Sequence, residues 1–408
     1  MKIHQMLRQR LTLKHGGLFL LFLFAWLSAP PCFAMPVPAT RTAIAADKAA
    51  GLGPLLRQSD LVLLESLPSG QMKQITIMAW VAAPPALTRE VVIHPEHYKD
   101  FVRNMTKSQV QHNPDGTYDH LYEFSYPITT VGGTTRFLLH KAEVGQAAAA
   151  VDLYDPAPTG PTWHRWEFVP YAGGTIVVLS GYTDVLHSGY PIDRLIQRVP
   201  TLEYGLSMIG QLTPLLTFKA RAEQLATGFQ PQTAPQTGDA SYGFLLDKGV
   251  VMLMRKNQGR LAELTLISES SVSKEALLRS LSEPASWSGS VPSITKSRSA
   301  GSPDGMPLVE LEQSVPLLSF VTQFGVRLSD SSVDMLGLSG DLRGARMRFD
   351  VRPCGGPRMQ LIFKSSVAYD RGSLLIRQLY KLEPLFEYGV NLGLSLVFVR
   401  GLTAQASK

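Results

Sequence analysis

The sequence predicts an α+β protein built from two tandem copies of one domain, each a curved antiparallel sheet wrapped on a long C-terminal helix. Three observations predict it. Pro200, Glu203, Tyr204 and Gly205 (PTLEYG) recur 184 positions later as Pro384, Glu387, Tyr388 and Gly389 (PLFEYG), and an internal repeat sets the architecture before any motif does. Residues 60–102 lie on 249–291 without a gap at a shift of 189, pairing Val62 with Val251, Thr76 with Thr265, Pro95 with Pro284 and Val102 with Val291. Both copies also run in one order: a strand, two short helices, a meander of strands, then a long apolar-periodic helix.

The elements of the first copy follow from local chemistry. Met72–Val81 (MKQITIMAWV) is rich in β-branched and aromatic residues and reads as a strand. Pro84-Pro85 ends it, and Pro85–Val92 and Pro95–Val102 read as short helices, each with proline at or near its first turn. Strands follow at Ser108–His112, Tyr118–Ser125, Thr134–Lys141, Ala148–Tyr154, Trp163–Val169 and Thr175–Val185, with turn chemistry at Asn113-Pro114-Asp115-Gly116 and Gly173-Gly174. Pro191–Glu223 carries Ile192, Leu195, Ile196, Val199, Leu202, Leu206 and Ile209 at helical spacing, and Pro200 inside it predicts a kink or a break near residues 196–200. The second copy repeats this as strand Leu261–Ser268, helices Lys274–Leu281 and Pro284–Ser288, strands through Gln360–Tyr369, and a helical run Gly372–Val399 holding Pro384.

The N-terminus reads as an export signal. Lys2, Arg8, Arg10 and Lys14 precede the apolar run Leu18–Leu27, which ends in Pro30, Pro31 and Cys32-Phe33-Ala34. The run is shorter than the roughly 20 residues that span a bilayer. The expected organisation is therefore a cleaved signal peptide at 1–34, a flexible leader at 35–59, a first domain at 60–225, a linker at 226–247 and a second domain at 248–404. The linker is marked by Ala226–Gly243 (ATGFQPQTAPQTGDASYG), which is nearly free of apolar periodicity. The expected location is the periplasm or the exterior.

Removing the signal takes four basic and no acidic residues, so the formal charge of +6 falls to +2. That argues against a nucleic-acid partner, which needs a basic patch on the folded domain. Cys354 is then the sole cysteine, so no internal disulfide framework exists. No G-x-S-x-G elbow, P-loop or dinucleotide fingerprint occurs, and no catalytic residue, metal or cofactor is assigned. His94 and His97 form an HxxH pair without further ligands nearby, and the second copy has Glu283 and Ser286 there.

The first copy is rich in strand aromatics. Trp80, Tyr122, Phe124, Tyr126, Phe137, Trp163, Trp166 and Tyr182 are candidate ligand-binding residues, a subset of which period-2 alternation places on the concave face. Glu203 and Tyr204 of the repeated motif are candidates for a polar pair orienting a head group, although their retention in both copies favours a structural role. In the second copy many of the aromatics give way to Ser, Gly and Arg over Ser329–Arg348, so the first copy is the expected binder.

Ile75-Thr76-Ile77, Ala82-Ala83-Pro84-Pro85 and His94–Val102, a strand running into a proline-marked helix and a proline-aromatic-apolar short helix, carry a family resemblance. The chain resembles two tandem copies of the START-like, helix-grip superfamily, which includes polyketide aromatase/cyclases, coenzyme-Q-binding proteins and lipid-transfer START domains. The resemblance implies a cavity between sheet and C-terminal helix. With the export signal, it implies an exported binding or carrier protein for a hydrophobic ligand such as a lipid, isoprenoid quinone or sterol. A transient contact with a membrane or envelope protein would accompany that role. The alternatives are an aromatase/cyclase-like enzyme and a non-catalytic interaction module with filled cavities.

Overall fold

The computed structural model of the chain describes residues 44, 46–68, 70–126, 129–140, 149–154, 162–183, 202–232, 242–257, 260–302, 305–315, 318–355, 357–374, 377–378 and 386–407. The export segment, Pro200 and Pro384 lie outside these. In chain order the elements are α1 (Ala46–Gly51), α2 (Gly53–Leu56), β1 (Ser59–Ser66), β2 (Met72–Val81), α3 (Pro85–Ile93), β3 (Met105–His112), β4 (Tyr118–Tyr126), β5 (Thr129–Leu139), β6 (Ala149–Tyr154), β7 (Trp163–Tyr171), β8 (Gly174–Tyr182) and α4 (Leu202–Leu225). There follow α5 (Gly243–Leu246), β9 (Val250–Asn257), β10 (Arg260–Ser270), α6 (Lys274–Ser282), β11 (Ile294–Ser299), β12 (Leu308–Val315), β13 (Leu318–Leu328), β14 (Ser332–Gly340), β15 (Arg346–Pro353), β16 (Met359–Ser366) and α7 (Phe386–Ala406). A 3-10 helix follows α3 at Pro95–Asp100 and another follows α6 at Pro284–Gly289.

The described residues fall into two compact units, one within 1–57, 73–198 and 206–241, the other within 58–72, 199–205 and 242–408. In the first unit the sheet order is β2-β8-β7-β6-β5-β4-β3, antiparallel throughout. In the second it is β1-β9-β10-β16-β15-β14-β13-β12-β11, also antiparallel. Both units therefore return the last strand of the meander, β8 or β16, to the first, β2 or β10.

Two stretches differ from expectation. Within the expected leader, residues 46–56 are helical because Ala49, Leu52 and Leu56 are buried, at 0, 1 and 3% exposure. Ser59–Ser66, placed by the sequence at the head of the first domain, pairs along β9 with Val62 opposite Met252 and Leu63 opposite Val251. Adding the repeat shift of 189 to Val62 gives Val251, and subtracting it from Met252 gives Leu63, so the two pairs are images of each other under the repeat.

The helical corner shows the duplication in backbone geometry. The residue that closes α3, His94, has φ −112° and ψ 68°, and its counterpart Glu283 after α6 has φ −114° and ψ 62°. Next, Tyr98 donates its hydroxyl to the Val92 carbonyl, and Trp287 donates Nε1–H to the Ser280 carbonyl at 3.0 Å. A β-bulge then interrupts pairing between Met105 and Lys107 in β3, and between Ile294 and Lys296 in β11. Bulges bend the strand and increase its twist, so both copies curve their sheet at one place.

The long helices differ in how they meet the sheet. In the second unit the α7 backbone lies close against α6, β10 and β16. Trp287, Phe349, Phe363 and Phe398, all at most 1% exposed, fill the space beneath it, with the Phe363 and Phe398 rings stacked at 6.3 Å. In the first unit α4 makes no comparable backbone approach to any strand among the described residues, and it reaches the inner face through side chains.

Trp287 packs on both Phe349 of β15 and Phe398 of α7. Trp287→Ala is expected to lower the stability of the second unit by about 3–5 kcal/mol, read as a fall in its urea midpoint. A midpoint within error of the parent's contradicts the assignment.

Candidate ligand-binding site

The inner face of the first unit is set by strand alternation. On β4, Tyr118, His120, Tyr122 and Phe124 share one side. Tyr118 stacks on Phe137 at 4.9 Å, and His120 lies among Tyr98, Tyr122 and Phe137 at 5.3, 5.5 and 6.1 Å. The opposite side carries cross-strand ion pairs, Arg136 with Asp119 at 2.6 Å and Arg165 with Asp152 at 3.2 Å. Phe218 of α4 closes over the inner face, 4.8 Å from Tyr98, 5.4 Å from Trp166 and 5.9 Å from Phe101.

The sequence candidates separate on this frame. Phe137 and Trp166, 1 and 2% exposed, belong to the ring cluster beneath α4. Tyr122 and Phe124 are half-buried neighbours on the same strand face, 5.9 Å apart. Trp163 is buried and Tyr182 half-buried, opposite each other in the β7–β8 pairing. Trp80 donates Nε1–H to the Tyr171 carbonyl at 3.2 Å, and the Arg57 guanidinium covers its ring at 4.6 Å. The side chain of Tyr126 lies outside the described residues.

The repeated motif anchors helix to strand. Tyr204, 2% exposed, donates to the Gly70 carbonyl at 2.7 Å and sits 3.0 Å from Ser66 Oγ, with the Arg400 guanidinium 4.1 Å above its ring. Glu203 is 5% exposed, and its counterpart Glu387 accepts from the Leu261 backbone N–H at 3.0 Å. Burial raises the pKa of Glu387 even though Leu261 and Arg260 oppose the shift. These contacts hold Tyr204 and Glu387 against neighbouring backbone.

The HxxH pair is occupied by carboxylates. His94 holds Glu96 on Nδ1 at 2.9 Å and Glu90 on Nε2 at 2.7 Å. Burial pulls its pKa down, but the hydrogen bonds to Glu96 and Glu90 outweigh it and leave the pKa raised. An imidazole with both nitrogens donating has no lone pair for a metal.

Two histidines and a glutamine supply chemistry that the sequence did not single out. His120, 3% exposed, places Nε2 2.7 Å from Ser108 Oγ. The Ser108 hydroxyl already donates to the Pro95 carbonyl, so Nε2 carries the proton and Ser108 accepts it. That direction is the reverse of what an activated serine needs, so the pair is structural. His164 Nε2 lies 3.2 Å from Thr183 Oγ1, and a side chain at Gly181 would collide with the His164 ring and come within 3.4 Å of the Gln211 amide carbon. Gln211, on α4, has no exposed area, and among the described residues neither Oε1 nor Nε2 has a hydrogen-bond partner. The buried Trp166 Nε1 is likewise unpartnered. Gln211, Leu215 and Phe218 fall at i, i+4 and i+7, so the glutamine occupies a polar position in an otherwise apolar stripe. That spacing was its one sequence signal.

Comparisons with solved structures give likenesses of fold. A START superfamily protein from Mycobacterium smegmatis is 16% identical, over 36% of this chain and 97% of its own, with a TM-score of 0.30. The di-domain ARO/CYC StfQ from the steffimycin biosynthetic pathway is 14% identical over 81% of this chain and 98% of its own, with a TM-score of 0.28. A STAR-related lipid transfer protein from Xanthomonas axonopodis is 17% identical over 40% and 94%, with a TM-score of 0.30. No protein-family model matches the chain, and no curated protein matches it.

Burial lowers the pKa of His120 to about 4, against an ordinary 6.5, and burial lowers that of His164 to about 4 as well. Above pH 6.5 the imidazoles are neutral in both folded and unfolded chains. Between 6.5 and 4 the unfolded chain binds protons that the folded chain refuses, so stability is lost as pH falls through that window. For His120 the loss is expected to be roughly 3 kcal/mol, read from urea midpoints at pH 7 and pH 4. His120→Asn is expected to flatten the slope, and an unchanged slope contradicts the assignment.

Proposed function

We propose that the protein is an exported carrier of a hydrophobic molecule with a polar tip, held in the first unit between the inner sheet face and α4. One observation carries the reading: the amide of Gln211, fully buried with neither atom partnered among the described residues. Leaving such a group unsatisfied costs about 1–3 kcal/mol, and a carbonyl or hydroxyl on a bound molecule relieves it. The aromatic inner face supplies the apolar walls, and the Trp166 Nε1–H, without a partner among the described residues, offers a second donor. A lipid, an isoprenoid quinone or a sterol has this combination of apolar body and polar tip. In this reading each unit is a helix-grip domain, and the segment 1–34 is a cleaved signal directing the chain to the periplasm or exterior.

Binding is assigned to the first unit because the second differs at the deciding position. Adding the motif shift of 184 to Gln211 gives Ser395, and to Phe218 gives Leu402. Both replacements are smaller, and the space beneath α7 is taken by Trp287, Phe349, Phe363 and Phe398.

The direct ring contacts of Phe218 with Tyr98 and Trp166 favour a second reading, an interaction module with a filled interior. Gln211→Leu separates the two. For a carrier, the variant takes up a fluorescent amphiphile about tenfold more weakly, about 1.4 kcal/mol, while the ligand-free protein is as stable as the parent or more so. A filled module shows no uptake in either protein, and equal uptake by both contradicts the role of Gln211. Export is checked by the intact mass of protein recovered from its own cells, expected to lack residues 1–34. A full-length mass contradicts it.

A further inference from the structure

We infer that the second unit carries a binding site for an organic phosphate on the sheet face opposite its aromatic core, separate from the site under α4. Val333 and Met335 of β14 are buried, so alternation turns Leu336, 42% exposed, to the other side. There Arg343, Arg346, Arg371, Arg377 and the single carboxylate of Asp370 line a cavity of about 760 Å³. Four cations against one anion leave a formal charge of +3. The volume lies in the range of small-molecule sites, about 300–1,000 Å³.

The neighbouring positions show that the charge is not balanced by default. One cross-strand step away, Arg348 stands opposite Asp334 and is held by Asp334 at 3.2 Å and Asp350 at 2.8 Å. At the next outward pair along the same strands, Arg346 stands opposite Leu336 instead of an acid. Among the described residues, none of the four cavity arginines is joined to a carboxylate.

The floor of the cavity is fixed by backbone. The Gly337 N–H donates to the Ala345 carbonyl and the Gly344 N–H to the Gly337 carbonyl, both at 2.8 Å. The Asp341 N–H donates to the Val321 carbonyl at 2.9 Å, and the Leu342 N–H to Thr322 Oγ1 at 3.0 Å. A side chain at Gly337 would collide with the Leu342 carbonyl. Gly344 has φ +85°, and a Cβ there would come 3.3 Å from Arg371 Cδ. These glycines allow the β14–β15 turn and the 369–371 turn to bring Arg343 and Arg371 to one cavity.

Guanidinium groups are planar forks that bind phosphate oxygens in pairs. Several of them facing one space, beside the apolar Leu336, suit a phosphate ester with an organic portion. A soluble ester and a phospholipid headgroup share that chemistry.

The test uses the full chain and three probes: phenyl phosphate, vesicles of phosphatidic acid in phosphatidylcholine, and vesicles of phosphatidylcholine alone. The parent is expected to bind phenyl phosphate, the phosphatidic acid vesicles or both, and not the neutral vesicles. Binding of the ester identifies a soluble ligand, and binding of the charged vesicles alone identifies a headgroup. The double variant Arg343→Ala with Arg371→Ala is expected to weaken binding about tenfold or more. Arg298→Ala, which removes an exposed arginine paired elsewhere with Glu310, is expected to leave binding unchanged. Both mutated cavity positions are exposed, and an unshifted urea midpoint verifies that the double variant is folded. No binding of either phosphate probe, equal binding of neutral vesicles, or equal losses in the two variants overturns the inference.

Discussion

Each long helix is seated by one aromatic ring of the short 3-10 helix, and the interior beneath it follows from how that ring is held. Tyr98 donates to the Val92 carbonyl and lies 4.8 Å from Phe218 of α4 and 5.3 Å from His120 of β4. Trp287 donates to the Ser280 carbonyl and lies 5.6 Å from Phe398 of α7 and 5.8 Å from Phe349 of β15. In both units one side chain thus ties the preceding helix, the sheet and the long helix together. A buried ring whose polar atom is bonded to backbone contributes area without leaving an unsatisfied group. The corner keeps its backbone angles within a few degrees although His94 is replaced by Glu283.

With the corner shared, the units differ in what lies between ring and helix. The second unit fills that space with phenylalanines, and α7 settles close on β10 and β16. The first unit meets α4 through Phe218, Tyr98 and Trp166 and leaves Gln211 and Trp166 Nε1 without partners among the described residues. The two copies therefore share a frame and differ in what their inner and outer sheet faces carry. One copy retains a polar contact point in an apolar interior, and the other turns an arginine-lined cavity to the opposite face of its sheet.

Much of this frame is legible in the sequence because its cues are local. Met72–Val81 is rich in β-branched and aromatic residues and is followed by a proline pair, and β2 spans the same residues in the structure. Pro85, Pro95 and Pro284 each open the helix that they mark. The pairing of β1 with β9 is not local: Ser59–Ser66 and Val250–Asn257 are distant in sequence, and nothing in either stretch names its partner. The candidate site is legible in part. Phe137 and Trp166 follow from aromatic alternation, whereas Gln211 is one glutamine on a long helix until Gly181 and Gln211 are seen side by side. The arginine cavity is the least legible. Its residues are spread over 336–377, and the stretch Ser329–Arg348 reads as lost aromatics until the β14–β15 turn gathers its charges.

Nitrogen-15 labelling of the indoles tests the central claim most directly, because Trp166 Nε1 faces the interior of the first unit without a partner among the described residues. On titration with an amphiphile carrying a carbonyl or hydroxyl tip, the Trp166 Nε1–H resonance is predicted to shift as it gains an acceptor. The Trp287 resonance, already bonded to the Ser280 carbonyl, is predicted to stay in place. A Trp166 signal that never moves, or one that moves no more than that of Trp287, contradicts a ligand site beneath α4.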